Sequence, residues 1–150
     1  MGRTDIPREF GDFGGRRIGE IWFANPDGDD AAILVKFLFT SERLSIQVHP
    51  DDDAARAAGF PRGKDECWLV MDADEDAELG VGLTTEATRK KLHDAALDGT
   101  IVDMIKWRRA AVNDFVYNRA GTIHAIGGGL TVVEVQQNVD CTYRLYDLMG

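Results

Sequence analysis

The chain has 150 residues, 44% hydrophobic and 29% charged, and its 17 Lys and Arg against 26 Asp and Glu leave a net charge of −9. That length predicts a single domain, residues 1–150, large enough to bury a core. The acidic balance excludes nucleic acid and an anionic membrane as the main partner, and no apolar run approaches the roughly 18 residues that cross a bilayer.

Residues 1–16, rich in Gly, Pro and charge, read as an irregular arm without an apolar signal region. "RIGEIWFA" and "AAILVKFLFT" have strand composition and are separated by the turn-rich "NPDGDD". "RLSIQVHP" alternates with period two: Leu44, Ile46 and Val48 take one face, and Ser45, Gln47 and His49 the other. Two readings fit it, a surface strand with its polar side in water and a strand whose polar side lines a cavity. "DDDAARAAGF" predicts a short helix capped by Asp and ended by Gly59.

"DECWLVMDA" and "AELGVGL" are expected to pair as a hairpin. A helix over "EATRKKLHDAAL" follows, capped by Thr84 or Thr85 and ended at Gly99. "TIVDMIKW" predicts a second short helix, so the helical insertion covers about 84–107. "DFVYNRA", "TIHAIGG", "LTVVEVQQN" and "TYRLYDL" return to strands. Strands on both sides of one helical insertion predict a mainly β barrel or sandwich.

Of three histidines, His93 sits in the polar helix and reads as a surface residue, while His49 and His124 sit on strands. Gln47 shares the His49 face, and Glu66 opens the next strand. Two imidazoles, a carboxylate and an amide oxygen form a donor set for a borderline metal such as zinc. With one carboxylate such a centre keeps net positive charge and acts as a Lewis acid. Cys67 and Cys141, far apart and outside any CxxC pattern, predict free thiols in a reducing cytoplasm.

Taken in order, "SIQVHPDD", "GKDECWLV", "AGTIHAIG", "VEVQQN" and "TYRLYD" resemble the motifs of the type I mannose-6-phosphate isomerases, which are metal-dependent cupins. The resemblance runs from "GRTDIP" to "YRLYD" and implies a jelly-roll barrel around one zinc held by Gln47, His49, Glu66 and His124. It implies interconversion of mannose 6-phosphate and fructose 6-phosphate through an enediol. Arg144 and Lys64 match catalytic positions, Arg144 beside the developing enediolate and Lys64 as a candidate for proton transfer, with a metal-bound water as its rival. Ser45, Lys36 and Glu134 complete the expected substrate-binding set.

The chain is short for that family, and Gly150 stands where a basic residue near the phosphate is expected. Asn118 and Arg119 replace an apolar residue and a proline ahead of "AGT", which predicts a looser turn before His124. Three readings stay open: a short active isomerase, a metal- and sugar-phosphate-binding cupin with little or no turnover, and another metal cupin such as an iron-dependent oxygenase. Gln47 counts against the last, since oxygenases favour a His-rich set. A homo-oligomer is also open, because a short chain can cover exposed sheet edges by pairing.

Overall fold

The computed structural model describes residues 2–26 and 31–147. Gly150, singled out above, lies outside them. Among the described residues, ten strands form two five-stranded antiparallel sheets that face each other. The first has the order β1 (Glu20–Phe23), β2 (Ile33–Thr40), β9 (Leu130–Gln137), β4 (Glu66–Ala73) and β7 (Phe115–Asn118). The second has the order β10 (Tyr143–Tyr146), β3 (Ile46–Val48), β8 (His124–Ile126), β5 (Glu78–Leu83) and β6 (Ile105–Arg109). This is the mainly β, cupin-like architecture expected.

Leu38, Trp68, Val70, Leu79, Ile126, Leu130 and Val132 fill one end of the space between the sheets. A second apolar cluster lies on the outer side of the second sheet. There Ile46, Ile105, Ile123 and Ala125 pack against Ala95 of α2 (Arg89–Asp98) and Ile101 of α3 (Ile101–Met104). Strand β3 therefore has neither face on the outer surface. Ile46, fully buried, contributes roughly 1.5–3 kcal/mol by burial under the helices, while Gln47 points to the interior.

Three expectations are corrected. Strands β4 and β5 do not form a hairpin: β4 pairs with β7 and β9, and β5 with β6 and β8, so the chain crosses between sheets at Asp74–Ala77. The turn is set by Asp74 N–H on the Gly129 carbonyl (2.8 Å) and Ala77 N–H on the Asp74 carbonyl (3.1 Å). Helix α2 starts later than expected, because the hydroxyl of Thr88, not Thr84 or Thr85, accepts the Lys91 amide. Residues 105–107, expected to be helical, open β6, where Ile105 pairs with Leu83 and Trp107 with Gly80.

The acidic run after His49 has a structural use. Asp51 caps α1 (Asp52–Ala57) by accepting from Ala54 N–H at 2.8 Å. Asp52 accepts from Gly63 N–H at 2.8 Å, and Asp53 pairs with Arg56 in solvent. A Cβ on Gly63 would stand 2.6 Å from the Asp51 carbonyl carbon, so only glycine allows this contact. The Lys64 amide then bonds the Pro50 carbonyl at 3.1 Å. The segment after His49 is thus clamped to the segment before Glu66.

Candidate metal centre and active site

Register brings the distant motifs together. In the second sheet Arg144, Gln47 and His124 are neighbours on β10, β3 and β8. In the first, Gln136, Glu66 and Asn118 form a row across β9, β4 and β7. His49 follows β3, and its backbone carbonyl accepts Gly121 N–H at 2.8 Å.

His49, Glu66 and His124 meet in the interior, each about 2% exposed or less. Their ligand atoms lie within 4.8 Å of one another, a grouping that can hold a metal ion. His49 Nε2 is 3.1 Å from Glu66 Oε2, and His124 Nε2 is 3.2 Å from Glu66 Oε1. The other ring nitrogens explain the arrangement. His49 Nδ1 sits 3.2 Å from the Cys141 carbonyl oxygen, and His124 Nδ1 sits 2.8 Å from that of Thr122. A carbonyl only accepts, so each Nδ1 carries hydrogen and a neutral ring turns the lone pair of Nε2 toward the carboxylate.

Burial pushes the His49 imidazole below its ordinary value, which favours the neutral ring. Burial acts to raise Glu66, but the two imidazoles, when protonated and donating from Nε2, overcome it and hold the carboxyl well below the usual range. Ionised carboxylate and neutral imidazole are the states that bind a cation. Glu66 Oε1 and His124 Nε2 are buried without a hydrogen-bond partner. Facing acceptors in a dry interior are costly unless a cation lies between them. The residues present therefore fit a divalent metal.

Beside this cluster is a cavity of about 580 Å³, lined among others by Ser45, Gln47, Lys64, Lys36, Glu134 and Arg144. Gln47 and Lys64 join the two: Gln47 is in register with His124, and Lys64 Nζ lies 3.7 Å from Glu66 Oε2. Lys64 is buried and Arg144 is exposed at the cavity edge. Lys36 Nζ reaches Glu134 Oε1 at 3.0 Å, and Trp68 Nε1 donates to Glu134 Oε2 at 3.0 Å. Burial, reinforced by the Glu66 charge, pushes the Glu134 carboxyl up.

Several residues here escaped the sequence reading. Trp68 packs edge-on to His124, with ring centroids 5.5 Å apart, while holding Glu134. The turn before His124, expected to be loose without a proline, is held by Asp65. The Asp65 carboxylate accepts Ala120 N–H at 2.6 Å and the Tyr117 hydroxyl. Asn118 turns into the interior, 1% exposed. Arg119 lines a separate groove with Lys64, Asp51 and Thr122 rather than the main cavity. His93 is exposed, as expected. Among the described residues no helix is long and apolar enough to cross a membrane.

No protein-family model matches the chain. It is 37% identical over 147 residues to the probable mannose-6-phosphate isomerase GmuF of Bacillus subtilis (strain 168), covering 91% of this chain and 45% of that protein. To the mannose-6-phosphate isomerase ManA of the same organism it is 36% identical over 144 residues, with the same coverage. The crystal structure of the mannose 6-phosphate isomerase from Bacillus subtilis superposes with a TM-score of 0.73 at 38% identity, over 81% of this chain and 38% of that one. The chain thus spans about half the length of the curated relatives it matches. By sequence over 91% of its length and by fold over 81%, the chain is similar to part of a mannose-6-phosphate isomerase.

Proposed function

We propose that the chain is one cupin domain that binds zinc and interconverts mannose 6-phosphate and fructose 6-phosphate in the cytoplasm. The observation that carries this reading is the buried His49–Glu66–His124 cluster, with both Nε2 atoms turned to one carboxylate beside a polar cavity. Gln47 completes the ligand set as a neutral oxygen donor, so one carboxylate leaves the centre positive. Zinc, when bound, supplies a Lewis acid that makes the hydrogen beside a sugar carbonyl more acidic.

The chain's own residues do the rest. Moving a proton between carbons 1 and 2 passes through an enediol, and negative charge develops on its oxygens. Arg144, permanently charged and at the cavity edge, stabilises that charge. Lys64, buried 3.7 Å from Glu66, is placed to move the proton. Ser45 and Lys36 bind the phosphate end, and Glu134, held by Lys36 and Trp68, orients sugar hydroxyls. Cys67 and Cys141 are free thiols, which suits a reducing compartment.

A coupled isomerase assay on metal-loaded and chelator-treated protein, with metal content measured on the same samples, tests the reading. Metal-dependent turnover of mannose 6-phosphate is expected. Full metal loading without turnover overturns the catalytic reading and leaves that of a sugar-phosphate-binding cupin.

A further inference from the structure

The two sheets differ on their outer sides. The second sheet is roofed by α2 and α3 over Ile46 and Ile105. The first presents two cross-strand rows running over all five strands. One row is Phe23, Val35, Val135, Cys67 and Tyr117; the next is Ile21, Phe37, Val133, Leu69 and Phe115. None of these ten residues is charged, in a chain that is 29% charged. A sheet face turned to water alternates apolar-in with polar-out, and this one does not.

Much of it is open. Phe115 is 65% exposed, Tyr117 57% and Phe23 50%, and Leu69 and the neighbouring Met71 are exposed as well. The N-terminal arm shields one corner, where Phe10 packs on Phe37 and Phe39 at 4.5 and 5.6 Å between ring centroids. Charge returns only at the ends of the face: Arg3 lies 3.7 Å from Asp72 at one, and Asp65 holds Tyr117 at the other. An apolar centre with a charged rim is the anatomy of an interface.

We infer that this face is the contact between two copies of this chain. Five strands about 4.8 Å apart, three of eight residues and two of four, give roughly 500 Å² in projection before side-chain relief is added. A standard interface takes about 800 Å² from each partner and a weaker one under about 600 Å², so the face has the size of a weak dimer contact. Charge selects the occupant. A basic partner would dock on acidic surface, whereas this face carries no charge. Two copies at −9 each repel through most of their surface, and meet at least electrostatic cost where both are neutral. The second copy always presents the same apolar face, and two sheets pack face to face about 10 Å apart in this way. The metal cluster and cavity lie on the inner side of these strands, so the pairing leaves them open.

Sedimentation equilibrium of the metal-loaded chain up to roughly 100 μM, a range that covers ordinary interface affinities, should give twice the chain mass. Phe115→Lys and Leu69→Lys should each raise the dissociation constant at least tenfold, with circular dichroism unchanged. Cys67 supplies a second readout that needs no variant, because it sits in the first row while Cys141 is buried. Its reaction with a thiol reagent should slow as protein concentration rises. A monomer throughout that range overturns the inference. So does a dimer that survives both substitutions with a Cys67 rate independent of concentration.

Discussion

The metal cluster and the cavity edge are a short distance apart but are built differently. At the cluster every side chain is buried, and each imidazole is aimed by a backbone carbonyl that cannot be exchanged by mutation. At the edge, Arg144 sits exposed on β10, the outermost strand of its sheet. Buried ligands set by backbone hold a fixed geometry, while a long exposed side chain on an edge strand keeps freedom to follow a substrate. On the proposed function the difference separates metal binding from turnover, and that separation can be broken by experiment.

The largest effect is expected at the cluster. The double substitution His49→Ala with His124→Ala should abolish metal binding and turnover together, read by elemental analysis and the isomerase assay. Full metal content in that variant would remove the site.

Arg144→Ala should lower turnover by about two orders of magnitude or more, the scale of a lost electrostatic stabiliser, with metal content unchanged. Arg144→Lys should recover only part of it, since lysine lacks the planar fork. Metal lost along with turnover would show that edge and cluster are one unit.

Gly63→Ala probes the clamp between them. The added carbon meets backbone of Asp51 and Asp52 within 2.7 Å, and a loss of about 1–3 kcal/mol is expected, by analogy with overpacking. Chemical denaturation should show it, and metal affinity should fall as well because Lys64 and Glu66 follow this contact. An unchanged midpoint would mean the loop yields freely.

The smallest effect is with pH. The unfolded chain protonates His49 near 6.5, and burial depresses it in the folded state. Below about 6.5 the unfolded state then binds more protons, so stability falls as pH falls, by up to about 1.4 kcal/mol per unit. Glu66, also depressed, adds loss of the same sign at lower pH. With chelator present, the melting temperature should drop between neutral pH and mildly acidic pH, and His49→Gln should flatten the upper part of that drop.

The sequence by itself determined most of the strands, the helical insertion and, through the family-like motifs, the histidines and glutamate that meet at the cluster. Period-two alternation needs only local sterics, so the face shared by Gln47 and His49 was legible, as were an Asp cap on α1 and the end of α2 at Gly99. Only the tertiary structure decided partners. That β4 and β5 belong to different sheets follows from pairings with β7, β9, β6 and β8, far along the chain. Residues 105–107 carry helical composition but gain more as an edge strand beside β5. Trp68 on Glu134 and Asp65 on the turn before His124 join residues more than fifty apart, and no local pattern encodes such a contact. The apolar outer face of the first sheet was hidden for the same reason. Each strand contributes two or three apolar residues, ordinary for a buried strand, and their sum becomes a surface only once five strands align.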